Sequence, residues 1–162
     1  MKLSKLYANR SDVFQAVKFT DGISVVMAEI RHPEDKELDS HSLGKTKLGE
    51  LINFCLLLKK SPTFFLFKNA QFEDFVFYLE ITLFDGSYIT LRRSVSESSK
   101  ISFVKHDEKN QDYSNSPGMK WDHESVPFDR AKSILDAALD LQASKPWDFR
   151  KGIGYLLSLI HI

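Results

Sequence analysis

Cysteine is nearly missing from this chain. Cys55 stands alone among 162 residues, which excludes an internal disulfide framework and a cysteine-based zinc site. Glycine and proline are sparse, at seven and five, so collagen-like and low-complexity character are excluded as well. Neither sign of charge is in excess. Twenty-two basic and 22 acidic side chains cancel, which argues against a chain-wide electrostatic grip on nucleic acid or anionic lipid and leaves room only for a local basic face. No apolar run approaches the roughly 18 residues of a membrane span; the longest, such as Cys55-Leu56-Leu57-Leu58, are core-sized. The start, Met1-Lys2-Leu3-Ser4-Lys5-Leu6, has no long apolar segment or cleavage site, so a mature cytoplasmic protein with no membrane partner is expected. The histidines, His32, His41, His106, His123 and His161, show no metal-ligand spacing.

What is present is apolar and aromatic material, 43% and 12% of the chain, enough for one domain with a real core over residues 1–162. Residues 2–8 alternate weakly and 13–19 alternate better, with Val13, Gln15, Val17 and Phe19 on one side. Asp21-Gly22 then separates 13–19 from the β-branched run Ile23-Ser24-Val25-Val26-Met27-Ala28. This predicts a hairpin whose second strand, 23–28, is buried on both faces. Residues 29–41, with Pro33 and dense charge, predict a solvated loop. Leu48, Leu51, Ile52, Cys55 and Leu58 recur at helical spacing and predict a largely buried helix over 45–58, stopped by Ser61-Pro62. Two alternating runs, 75–84 and 87–93, flank Asp85-Gly86 and predict a second hairpin, with 101–105 as a third strand. The polar stretch 106–125 predicts a long loop. Pro127 precedes a helical pattern of Ala131, Ile134, Leu135, Ala138, Leu139 and Leu141, and 147–160 predicts another short helix.

The stretch that points to chemistry is Ser40-His41-Ser42-Leu43-Gly44-Lys45-Thr46, placed between the expected buried strand and the expected helix. Backbone amides at a helix N-terminus face an anion, and the helix dipole favours negative charge there. Gly44 permits close approach of the backbone, Lys45 can bridge β- and γ-phosphates, and the Thr46 hydroxyl can ligate Mg²⁺. The full phosphate-loop pattern places a further glycine five residues before Gly44, where this chain has Asp39. The residues alone leave two readings open: a phosphate cradle formed by Ser42, Leu43, Gly44, Lys45 and Thr46, or a polar helix start capped by Ser42.

Several segments together resemble the start of bacterial DUF2326 proteins, in the SMC/Rad50/RecF-like branch of ABC-type ATPases. They are Asn9-Arg10-Ser11, Phe19-Thr20-Asp21-Gly22, the loop Ser40 to Thr46, the run from Phe77 through Asp85-Gly86 to Arg93, and Asp148 to Leu157. The resemblance covers the chain to about Leu157. It implies an α/β fold, a P-loop NTPase-like lobe with an antiparallel β-subdomain and C-terminal helices, forming the N-terminal lobe of an ATPase head. It also implies ATP and Mg²⁺ as cofactors, Ser42, Leu43, Gly44, Lys45, Thr46 and Arg10 as nucleotide-binding residues, and Thr46 as the Mg²⁺ ligand. The implied partners are the nucleotide, a C-terminal lobe of the same protein, a second head in a dimer, and DNA through the full assembly. The Q-loop, signature motif, Walker B pair and switch histidine of that family are not recognisable here, so no catalytic residue is assigned and turnover is not expected from this chain alone.

The other reading is a non-catalytic protein-interaction module that keeps the fold without binding nucleotide. Asp39 and the charged loop 29–41 support it. Arg10 as a surface residue in a strand-end turn, Arg92 and Arg93 as solvated strand-edge charges, and Cys55 as an inert core residue are the plain readings of those positions; for Arg92 and Arg93 the functional alternative is that one of them approaches DNA or nucleotide. The phenylalanines from Phe64 to Phe77 read as core rather than as a base-stacking platform. Asp74, Glu80 and Asp85 form no recognisable acid–base pair.

Overall fold

The structure, a computed structural model, describes residues 1–25, 45–116 and 118–140. In chain order its elements are strand β1 (Lys2–Ala8), the short strand β2 (Val17–Lys18), helix α1 (Lys45–Cys55), the single-turn helix α2 (Phe65–Lys68) and a 3-10 turn at Ala70–Phe72. Strands β3 (Val76–Thr82), β4 (Tyr88–Ser94), β5 (Lys100–His106) and β6 (His123–Pro127) follow, and helix α3 (Phe128–Ala138) comes last. The strands make one sheet in the order β2-β1-β3-β4-β5-β6, and every neighbouring pair is antiparallel.

Alternation along the strands decides which side chains meet. Phe77, Leu79 and Ile81 of β3, Ile89 and Leu91 of β4, and Ile101 and Phe103 of β5 point to one face. There they join Leu51, Ile52, Phe54 and Cys55 of α1 and Ala131 and Leu135 of α3 in the main core. The opposite face carries Tyr7, Tyr78 and Val104, which pack with Trp121 in a second cluster.

The β3–β4 hairpin is where the alternation and Asp85-Gly86 place it. Gly86 takes a φ of +85°, its amide donates to the Leu83 carbonyl at 3.3 Å, and the Leu83 amide donates to Ser87 O at 2.8 Å. A glycine accepts that left-handed conformation without steric penalty. Strand β5 also forms as expected, and α3 starts directly after Pro127.

Three expectations need correction. The α/β P-loop lobe with a parallel layer is not what the described residues build: they make a six-stranded antiparallel sheet with three short helices. Short connections between β3, β4 and β5 return the chain beside itself, whereas a parallel neighbour needs a crossover of a dozen or more residues. The buried strand over 23–28 is not formed where it is described. Residues 23–25 pair with nothing in the sheet, and Ile23 and Val25 are 90% and 74% exposed; residues 26–28 lie outside the described residues, as do the loop 29–41, Leu141 and the helix expected over 147–160. The strand expected over 13–19 is reduced to Val17–Lys18.

Two smaller differences have local causes. Helix α1 ends at Cys55, short of Leu58, because Leu57 adopts a φ of +63°. Its amide donates to Phe54 O at 3.1 Å and the Leu58 amide to Asn53 O at 3.0 Å, the paired bonds of a Schellman close. Ser61-Pro62 therefore lies beyond the true stop. Within the loop expected over 106–125, β6 begins at His123 and pairs with β5.

Candidate functional site

Helix α1 opens at Lys45, immediately after Gly44. Ser42, Leu43 and Gly44 lie outside the described residues, so the cradle itself is not seen. Thr46 is exposed in the first turn. That turn holds no acidic residue but two lysines, Lys45 and Lys47. Lys47 Nζ donates to Glu50 Oε2 at 2.9 Å and lies 4.8 Å from the Phe65 ring centre. Cations in a first turn oppose the helix dipole, whereas α3 has Asp129 there, which complements it.

Arg10 is not brought to this turn by any contact among the described residues. Its Nε and Nη2 donate to the two Asp12 carboxylate oxygens at 3.1 and 3.0 Å, and its guanidinium stands 5.9 Å from the Phe75 ring centre. The hydrogen bonds from Arg10 hold the Asp12 carboxyl below the usual range, and the pairing raises Arg10 in turn.

Arg92 and Arg93 sit side by side on β4, a central strand, and face opposite ways. Arg93 follows Ile89 and Leu91 inward and is 1% exposed. Its Nε donates to Ser98 O at 2.8 Å, and Nη1 donates to Leu58 O at 2.9 Å and to Phe54 O. A cation bonded to the last carbonyls of α1 matches the negative end of that helix. Arg93 also lies 4.2 Å from the Phe54 ring centre. The plain reading of this residue as a solvated strand-edge charge is therefore overturned.

Arg92 points to the other face, where a concavity of about 530 Å³ opens between the sheet and the segment 113–121. Tyr78, Tyr113 and Trp121 form its aromatic wall, Met119 adds apolar surface, and Arg92 and Glu124 supply opposite charges. The Arg92 guanidinium lies 5.6 Å from the Trp121 ring centre. Trp121 is 5.9 Å from Tyr113 at 62° and 6.5 Å from Tyr78 at 26°. Tyr78 stacks on Tyr7 at 4.8 Å and 10°, and the Tyr113 amide donates to the Tyr7 hydroxyl at 3.1 Å. Burial pushes the Tyr78 phenol up, with the Arg92 charge pulling part of the way back; burial also raises Tyr113.

The segment that closes this concavity is held by two buried charges on the same sheet face. Lys5 and Glu80 are register partners on β1 and β3. The Glu80 carboxylate accepts from the amides of Asn110 and Gln111 at 2.9 and 3.0 Å. Lys5 Nζ donates to the carbonyls of the same two residues at 3.4 and 3.1 Å and lies 3.7 Å from Asp112. Beside them His106 Nδ1 meets the Glu108 carbonyl at 2.8 Å and Nε2 meets the Thr90 hydroxyl at 2.8 Å. A carbonyl only accepts, so Nδ1 carries a proton, and a neutral His106 accepts from Thr90.

Sequence reasoning missed this site, because its walls come from four separated segments. No family model, curated protein or solved structure matches this chain. Among the described residues no helix is long and apolar enough to cross a membrane, and no cluster of three histidine, cysteine or carboxylate side chains is placed to hold a metal ion.

Proposed function

We propose that this chain binds ATP through the phosphates, at the segment Ser42-Leu43-Gly44-Lys45-Thr46 that leads into α1. The supporting observation is the composition of the first described turn of that helix, which has two lysines, Lys45 and Lys47, and no carboxylate. Cations there oppose the dipole, Lys47 being partly offset by its pair with Glu50, and a bound polyanion would reverse the sign of that interaction. In this reading Lys45 meets the β- and γ-phosphates and the Thr46 hydroxyl, exposed in the first turn, ligates Mg²⁺. The resemblance of the sequence to SMC-type ATPases extends the proposal to a cytoplasmic protein in which other parts supply the machinery of hydrolysis, acting on DNA or in a defence-type process; the α/β lobe of those heads is not part of it, since the sheet here is antiparallel throughout. Arg10, already paired with Asp12, contributes to the site only by giving up that pair.

Calorimetry of the chain with ATP and Mg²⁺ tests this. Binding with a Kd of roughly 1 mM or tighter, lost in Lys45→Ala, and no ATP turnover are expected. Absence of binding in the millimolar range refutes the proposal, and turnover that disappears in Lys45→Ala refutes its claim that hydrolysis needs other parts.

A second reading, a non-catalytic interaction module, is favoured by one observation. Val13, Ile23 and Val25 are 62%, 90% and 74% exposed, and exposed apolar side chains suit a protein contact. It predicts retention of function by Lys45→Ala in a complex-formation assay.

A further inference from the structure

We propose that the concavity beneath Trp121 binds a flat nitrogen heterocycle carrying a single phosphate, the chemistry of a nucleoside monophosphate or of one nucleotide in a single strand. This site lies on the face of the sheet opposite α1 and does not depend on the ATP reading.

The inference starts from an unused cation. Arg92 is half-buried on β4 and makes no side-chain hydrogen bond or ion pair among the described residues; its guanidinium lies 5.6 Å from the Trp121 ring centre, and its charge also acts on the phenol of Tyr78, its register partner. Arg93, its neighbour, spends its donors on three carbonyls. A guanidinium offers five N–H donors in a planar fork that fits phosphate or carboxylate oxygens, so Arg92 holds anion-binding capacity that the fold leaves idle.

The walls specify what the anion is attached to. Tyr113 and Trp121 meet at 62°; Trp121 is 9% exposed with Arg92 over its ring, so the half-buried Tyr113 supplies the face for a flat ligand and Trp121 the edge it abuts. Stacking of a base on aromatic side chains and on a guanidinium plane tolerates any base. The rings are already held in place: Tyr78 by its stack on Tyr7, and Tyr113 by its edge contact with the His106 ring at 5.5 Å, its backbone amide being bonded to the Tyr7 hydroxyl. Ordering costs on binding are correspondingly small. The volume, about 530 Å³, lies within the roughly 300–1,000 Å³ of small-ligand sites.

Glu124 narrows the choice further. It is exposed on β6, lines the same concavity and has no hydrogen-bond or ion-pair partner among the described residues. A carboxylate accepts from the exocyclic amino group of a base. It also repels extra negative charge, so one phosphate opposite Arg92 is favoured over a di- or triphosphate.

The test uses fluorescence of Trp121. The chain has two tryptophans, and Trp147→Phe leaves Trp121 as the single reporter. Titrations of the whole chain with AMP, ATP, adenosine, inorganic phosphate and a short single-stranded oligonucleotide are compared. Saturable quenching by AMP is expected, with adenosine and phosphate each weaker by about tenfold or more. Arg92→Gln should weaken AMP binding about tenfold, Arg92→Lys less, because charge without the fork retains part of the contact. Glu124→Gln should narrow the preference for AMP over ATP. Quenching by the oligonucleotide with little by AMP assigns the same pocket to a nucleotide within a strand. Lys45→Ala should leave all of these titrations unchanged, so failure here and failure of ATP binding at α1 are read separately. The proposal is overturned if neither AMP nor the oligonucleotide quenches in the millimolar range, or if Arg92→Gln, shown by its circular dichroism melt to be folded, binds as the parent does.

Discussion

Arg93 shows how one side chain can be read wrongly from its charge and rightly from its position. Alternation puts it on the face of Ile89 and Leu91, and its burial there is compensated by bonds to Leu58 O and Ser98 O and by a further bond to Phe54 O, which also accepts from the Leu57 amide. Arg93→Met keeps much of the volume and removes the donors. It should lower stability by about 3 kcal/mol, since hydrogen bonds to charged groups are worth the most and the carbonyls left behind are buried. Urea unfolding measures this. Arg93→Lys should recover only part of the loss, because one ammonium cannot span Ser98 and the end of α1 together. A midpoint unchanged in Arg93→Met would show that the carbonyls find other partners. Cys55 is the other buried reactive group. Burial pushes its thiol up to about 12 from an ordinary 9.0, against the nearby Arg93 charge. A thiol kept protonated is a poor nucleophile, so disulfide reagents should label Cys55 only at the rate of unfolding, and urea should accelerate the reaction.

At the scale of elements, the hinge of the design is the grip of β1 and β3 on residues 110 and 111. Glu80 takes two amides and Lys5 two carbonyls, so each buried charge is compensated by backbone rather than by its opposite alone. Glu80→Ala should free the segment 107–122. Amide hydrogens of Asn110 and Gln111 should exchange orders of magnitude faster, while those of β3 and β4 keep most of their protection. Loss of protection throughout the sheet would mean that the segment is part of the global folding unit. The same elements show what was legible in the sequence. The β3–β4 hairpin was, because two alternating runs meet at Asp85-Gly86; so was α3, because Ala131 and Leu135 repeat at helical spacing. Strand β6 was not: Val126 alone of its five residues is buried, and Ser125 breaks its extended backbone with a φ of +48°. The strand expected over 23–28 is not formed at its described residues, 23–25, for the reverse reason. β-Branched composition signals a strand only when a neighbour is there to pair with it, and Ile23 and Val25 have none among the described residues. The concavity was illegible because Tyr78, Arg92, Tyr113 and Trp121 are distant in the chain and joined only by register and by the grip of Lys5 and Glu80.

For the whole molecule, the titration of buried acids gives stability a direction with pH. Cys55, Tyr7, Tyr78 and Tyr113 all hold their protons more tightly in the fold, each chiefly through burial. Above an ordinary thiol value of 9.0 and phenol value of 10.0 the unfolded chain has released protons that the native state retains. The unfolded state then binds fewer protons, so the stability these four groups contribute is complete below about pH 9 and falls as pH rises through the following units. Urea midpoints at pH 8 and pH 10.5 should differ in that order, and a flat profile would mean that these groups ionise within the fold.

The sheet order carries a consequence for synthesis. Strand β1 leaves the ribosome first, yet its longest partner is β3, whose pairing runs from Phe77 to Thr82, and the backbone that satisfies Lys5 arrives only at Asn110 and Gln111. At roughly 5–20 residues per second, that is a wait of several seconds or more. Through that interval the apolar side chains of β1 are unshielded on the nascent chain. The time of greatest exposure to chaperones and to misassembly therefore precedes translation of β5, and slowing elongation before residue 76 should lower the soluble yield more than slowing it after residue 111.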